Sequence, residues 1–258
     1  MGLGYGGVLR RLTNSLGRLL ERWSIPVYVR DGLATVHDHA FLRDSRFRAA
    51  YARGVQACGG TDYELPWRLK IALWCGRQAI TTSGDFMECG VNRGFMSSAI
   101  MLDLEWETRC RTFWLIDSFA GLDLTRLTDA ERGTGREAYN QKSLRSGFYV
   151  NGPDEVVDNF KEWPHTKVVQ GTLPDCLAGL PLGALAFVHL DLNAVGPELQ
   201  TLDLLWPRIS AGGIVLVDDY GFFGFPAHRP AYDAFAAAHG VDVLQVPTGQ
   251  GIIVKPPA

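Results

Sequence analysis

No apolar stretch in the 258 residues approaches the roughly 18 needed to span a bilayer. The opening residues, MGLGYGG, make no signal peptide, because Arg10, Arg11 and Arg18 interrupt the apolar stretch that follows. An excess of one charge is also missing. The 25 Lys and Arg against 28 Asp and Glu leave a formal net charge of -3, which offers nucleic acid no general attraction. Cysteine is sparse and scattered: Cys58, Cys75, Cys89, Cys110 and Cys176 form no CxxC pair. They are expected mostly as small core residues, not as a zinc site or a disulfide framework. Internal repeats, low-complexity tracts and the dinucleotide fingerprint GxGxxG are absent too. These absences lead us to expect a cytoplasmic globular protein without a nucleic-acid partner.

What is present is an alternation. Gly84–Cys89, Thr112–Ile116, Lys167–Gln170, Leu185–Leu190 and Gly213–Val217 read as buried strands. Phe95–Leu104 reads as a helix, and so does Pro197–Ile209, with Leu199, Leu202, Leu205 and Trp206 at helical spacing. Strands alternating with helices imply a parallel sheet covered on both faces. Val241–Val246 and Gly251–Lys255 break the rhythm, because the turn-like PTGQ between them is too short for anything but an antiparallel hairpin. The expected fold is therefore α/β and Rossmann-like: a mostly parallel seven-stranded sheet with a C-terminal antiparallel hairpin. That is the layout of class I methyltransferases and not of dinucleotide dehydrogenases.

Two segments fall outside this scheme. Residues 1–60 form an N-terminal helical appendage to a domain over 61–258. Within it Leu9, Leu12, Leu16, Leu19 and Trp23 share one helical stripe, with Arg10, Arg11, Arg18 and Arg22 largely beside or opposite it. Such a helix packs on the domain or on a second subunit, or lies on an anionic membrane surface through residues 8–23. Residues 118–152 are a long polar insertion of the kind that serves as a lid.

The chemistry gathers at strand ends. Glu88-Cys89-Gly90-Val91-Asn92-Arg93-Gly94 is an acid, then Gly-x-x-x-Gly, then a helix. The glycines allow backbone to pass close to a ligand, and the helix start offers N–H groups to a carboxylate. An ordinary strand-to-helix turn is the alternative. Asp117 ends the next strand, where an acid accepts from ribose hydroxyls, or it caps the following segment. Ser118 and Gly171 complete the expected cofactor set of Glu88, Gly90, Asn92, Gly94 and Asp117. Asp191, Asp218 and Asp219 leave the same sheet edge, and the adjacent pair repels unless something positive lies between. Hard oxygen ligands suit Mg²⁺ or Ca²⁺. A bound cation lowers the pKa of an acceptor hydroxyl, and a nearby base takes its proton. Asp191 can be both ligand and base. His189, two residues earlier on the same strand face, is a second base, an adenine contact or a buried hydrogen-bonded residue.

The segments GDFMECGVNRGFMSSAI, LIDSFAGL, FVHLDLN, PRISAGGIVLVDDYG and PTGQGIIVKP, in that order between about Trp67 and Pro256, resemble the macrocin and mycinamicin sugar O-methyltransferase family. The resemblance implies S-adenosylmethionine (SAM) as methyl donor and Mg²⁺ held by Asp191, Asp218 and Asp219, with Asp191 also as base. It implies a sugar, glycan or natural-product hydroxyl as acceptor, and a homo-oligomer is expected. Many relatives carry Asp-x-Asp-Leu-Tyr where this chain has Asp191-Leu192-Asn193-Ala194-Val195, so a different acceptor pocket is expected. A superfamily relative associated with hydroxylation, or a non-catalytic partner-binding module, is the alternative. Three carboxylates on one edge speak against decay of the chemistry.

Overall fold

The computed structural model describes residues 28–257; the basic amphipathic stripe over residues 8–23 lies outside them. The chain order is β1 (Tyr28–Arg30), β2 (Leu33–Thr35), α1 (Ser45–Ala57), α2 (Pro66–Ala79), β3 (Asp85–Cys89), α3 (Phe95–Asp103), β4 (Phe113–Asp117), α4 (Asp129–Arg132), α5 (Arg136–Arg145), α6 (Asp154–Phe160), β5 (Thr166–Gln170), β6 (Leu185–Leu190), α7 (Val195–Leu205), β7 (Ile209–Val217), α8 (His228–Ala238), β8 (Leu244–Gln245) and β9 (Gly251–Val254). Strands β3 to β9 form a seven-stranded sheet in the order β5-β4-β3-β6-β7-β9-β8. The first five pair in parallel, and β9 runs antiparallel to both β7 and β8. The expected α/β fold with its terminal hairpin is the one observed.

Burial explains the order. Every residue of β6 is buried, as befits a strand covered on both faces. Alternate side chains enter two cores. Phe86, Leu115, Phe187 and Leu216 meet α1, α2 and α3, while Met87, Ile116, Val188 and Val217 meet α7 and α8. Parallel strands end at one edge, so Glu88, Asp117, His189 and the residues after Leu190 and Val217 reach the same end of the sheet. Within the sheet Glu88 is in register with His189.

The N-terminal part contributes to this framework. Helix α1 packs on α3, and its Phe47 and Ala50 share the buried cluster of Phe86 and Phe187. Gly54 makes the close approach possible: a Cβ there would lie 2.9 Å from the Phe95 carbonyl oxygen. The β1–β2 hairpin turns through Asp31 and Gly32, both at positive φ, as a two-residue hairpin demands. Asp31 is buried; its carboxylate accepts from the Tyr28 hydroxyl and, at 2.9 Å, from the Trp67 amide at the start of α2.

The insertion over residues 118–152 is more structured than its polar composition predicts. It holds α4 and α5, and turns two of its charges inward. Arg136 and Glu131 are both buried and paired at 3.0 Å. Glu131 also accepts from the Val195 amide at 3.0 Å, and Arg136 donates to the Asn193 carbonyl. The insertion thereby grips the loop that follows β6.

Candidate active site

A cavity of about 940 Å³ opens over the ends of β3, β4, β6 and β7. Its wall includes Glu88, Gly90, Asn92, Asp117, Ser118, Gly171, Asp191, Asp218 and Asp219. Nine of the eleven residues singled out from the sequence thus meet in one place, although they span 132 positions of chain.

The glycine turn is held by sheet backbone. Gly90, at φ +90°, donates to the Ile116 carbonyl at 2.8 Å, and the Asp191 amide donates to Cys89 at 2.9 Å. A Cβ on Gly90 would overlap the Asp191 carbonyl oxygen. This glycine therefore lets two strand ends converge, a role beyond making room for a ligand. Gly94 departs from expectation. It is not on the cavity wall, and a side chain there would run into the Phe160 ring; its role is to seat α3 against α6. Asn92, at φ +48°, spends its side chain on the insertion, donating to Phe148 and accepting from the Val150 amide, each at 3.0 Å.

Asp117 accepts from the Asn92 amide at 2.8 Å and the Phe119 amide at 2.7 Å. Burial raises its pKa despite these bonds. It locks the turn while keeping free lone pairs toward the cavity. Asp117→Asn keeps the shape but removes the charge and one acceptor. It should weaken SAM binding by about 1.5–3 kcal/mol, the worth of a charge-assisted hydrogen bond. Calorimetry reads this directly, and an unchanged affinity would leave Asp117 with the turn alone.

His189 is 1% exposed and is not on the cavity wall. Its Nδ1 lies 2.9 Å from Glu88 and its Nε2 3.6 Å from Asp218. Burial opposes a charge on the ring, but the neighbouring Asp218 and Glu88 carboxylates outweigh it and push the pKa up to about 10. The ring is buried between Glu88 and Asp218, off the cavity wall. This geometry favours the buried hydrogen-bonded alternative over a base or an adenine contact. Glu88 is bracketed by His189 and by the Ser97 hydroxyl of α3.

Sequence reasoning missed Arg68. It comes from the first turn of α2, is 4% exposed, and places Nη2 2.8 Å from Asp218 and 3.8 Å from Asp219. Gln250, in the turn before β9, donates to Asp218 at 3.0 Å. Arg68 and His189 together hold the Asp218 carboxyl down at about 2 against its burial. Asp219 is pushed up to about 7 by burial and by the charge of Asp218. Asp191 is raised well above the carboxylate range by burial and by both neighbours. Asp191, Asp218 and Asp219 thus crowd one end of the sheet, with the Arg68 guanidinium on Asp218. The donor set has the hard-oxygen chemistry of a divalent-cation site, and Asp219 Oδ2 is buried without a hydrogen-bond partner. Yet among the described residues no three such side chains converge closely enough to hold a metal ion. The reason is local: Asp218 is turned onto Arg68, Gln250 and His189.

Residues 76–246, about two thirds of the chain, match the macrocin-O-methyltransferase (TylF) family. The chain belongs to that family. Curated relatives of this family member include a Streptomyces olivaceus tetracenomycin rhamnosyl 4'-O-methyltransferase, 28% identical over 66% of this chain and 64% of its own length. A Streptomyces niveus demethyldecarbamoylnovobiocin O-methyltransferase is 31% identical over 60% of this chain and 58% of its own length. The chain thus spans slightly under two thirds of the curated relatives it matches. In three dimensions it is similar to the O-methyltransferase NovP, with a TM-score of 0.63 at 21% identity over 85% of this chain and all of that one. The calicheamicin methyltransferase CalS11 follows at 0.55 and 17%, over 84% of this chain and 94% of its own. These likenesses show the fold of this family member.

Proposed function

We propose that this chain transfers the methyl group of SAM to a hydroxyl of a sugar, glycan or natural product, and that a divalent cation such as Mg²⁺ binds at Asp191, Asp218 and Asp219. The observation that carries the reading is the shared cavity: the glycine turn with Asp117 on one side, the three carboxylates on the other. Family membership supports methyl transfer to oxygen, and the curated relatives act, by name, on glycosylated or aromatic natural products.

The turn that begins at Gly90, where backbone comes close to the cavity, and the Asp117 carboxylate bind the donor. Tyr139, Tyr149, Phe222 and Phe225 give the remaining wall an apolar, aromatic character suited to a sugar face or a ring. When bound, the cation lowers the pKa of the acceptor hydroxyl. Asp191 accepts the hydroxyl proton as oxygen attacks the methyl carbon, and the carbon–sulfur bond breaks to leave S-adenosylhomocysteine. The insertion over residues 118–152 covers the cavity and keeps water from the sulfonium. Incubating the protein with methyl-labelled SAM and a panel of deoxysugar nucleotides and glycosylated aromatics tests the reading. Label should appear on an acceptor oxygen and be lost with chelator. Transfer to nitrogen or carbon, or undiminished transfer under chelator, would sink the respective half of it.

A further inference from the structure

Arg68 is a buried cation with a specific address. Its guanidinium donates to the Asp218 carbonyl, pairs with Asp218 Oδ2 at 2.8 Å, and lies over the Phe222 ring with 4.5 Å to the centroid. Arginine stays charged under all ordinary conditions. The Asp218–Asp219 pair that would receive a divalent ion therefore already has a cation, tethered to α2.

We infer that Arg68 is an intramolecular competitor for the divalent cation: the guanidinium and the ion share Asp218 and Asp219, and loading requires Arg68 to give up its hold. The inference rests on the proposed cation site. Three observations carry it. Asp218 is already partnered at both oxygens, by Arg68 on Oδ2 and Gln250 on Oδ1, with His189 Nε2 3.6 Å from Oδ1. Asp219 is left half-served, because Arg68 stands 3.8 Å away and Oδ2 has no partner. A compact ion could bind both carboxylates closely, where the guanidinium tethered to α2 is 2.8 Å from one and 3.8 Å from the other. Finally, the displaced side chain has somewhere to go. Asp31, whose charge also acts on Arg68, keeps Oδ1 buried and unpartnered. A move from Asp218 toward Asp31 would exchange one carboxylate for another without taking the positive charge out of the site. The arrangement keeps adjacent carboxylates from repelling each other before the ion arrives, at the cost of weaker ion binding.

The test uses Mn²⁺ as probe, with free Mn²⁺ followed by electron paramagnetic resonance in the absence of donor and acceptor. Arg68→Met should bind Mn²⁺ at least about tenfold more tightly than the unaltered chain, with Arg68→Lys between them, because an ammonium is a point charge without the fork that matches a carboxylate. The Arg68→Met protein should melt lower than the unaltered chain without metal, and Mn²⁺ should restore more of its melting temperature. Adding Asp219→Asn to Arg68→Met should abolish the gain. A merely structural Arg68 would lower the melting temperature without tightening Mn²⁺. Equal affinity in all three proteins would overturn the competition and leave the cation site standing. A gain that survives Asp219→Asn would place the ion elsewhere and overturn it as well. No Mn²⁺ binding in any protein would remove the competition and the cation site together. If Arg68→Met does not fold, Arg68→Lys decides alone, and affinity equal to that of the unaltered chain would count against the inference.

Discussion

Asp191→Asn should slow methyl transfer by about 10²–10⁴-fold, the range for losing a positioned general base, while SAM affinity stays within roughly twofold. The two expectations belong together because the residue serves one half of the cavity. Asp191 sits just beyond β6, where its amide is tied to Cys89 and its Oδ1 accepts from the Asn193 side chain at 3.0 Å. Asparagine keeps that shape and that acceptor, so the backbone around Gly90 has no cause to move. What it loses is the ability to take a proton. Burial and the charges of Asp218 and Asp219 raise the Asp191 carboxyl well above the carboxylate range; positive charge in the site favours the carboxylate that the reaction needs. Single-turnover kinetics with labelled SAM, beside calorimetry, separate the two readouts. Normal turnover would dismiss Asp191 as the base. A parallel loss of SAM affinity would make it a scaffold for the turn.

Gly90→Ala should have the opposite profile: a broad failure. The backbone there is at φ +90°, which an L side chain adopts at a cost, and the added methyl would overlap the Asp191 carbonyl. Neither partner can yield easily, since one end is bonded to β4 and the other to β3. We expect a loss of about 3–5 kcal/mol, at the upper end for single substitutions, and a melting temperature lower by roughly 10 °C or more. SAM binding and turnover should fall together. A thermal scan with an unchanged midpoint would mean that the turn is not wedged between the strands as described.

The frame of the fold was readable because buried strands carry unbroken apolar runs. Leu185–Leu190 has the bounds read from sequence, and the five parallel strands fall where those runs lie. Strand β7 begins four residues earlier than its apolar run, because Ser210 is half-buried, Ala211 and Gly212 are exposed, and the three carry no hydrophobic signal. The strand ends also announced their acids, since Asp117, Asp191 and the Asp218–Asp219 pair each follow a buried run. The partners of those acids were not readable. Arg68 lies 150 positions from Asp218 on an unremarked helix, and Arg136 and Glu131 look like surface charges in a polar stretch. Their burial depends on pairing across the fold, which no local pattern encodes. His189 and Gly94 belong to the same class: the residue type suggested chemistry, and only the fold shows Glu88 bonded to the one and Phe160 packed against the other.

The register that sets Glu88 beside His189 has one more consequence. Glu88 lines the donor side of the cavity, Asp218 the carboxylate side, and the imidazolium is bonded to the first and ion-paired to the second. On the proposed function, ligands on the two sides of the cavity would share this one buried bridge. Thermodynamic linkage makes the effect mutual: whatever factor a divalent ion applies to the affinity for SAM, SAM must apply to the affinity for the ion. On that reading the sheet, through a single rung between neighbouring strands, would link the two sides of the cavity.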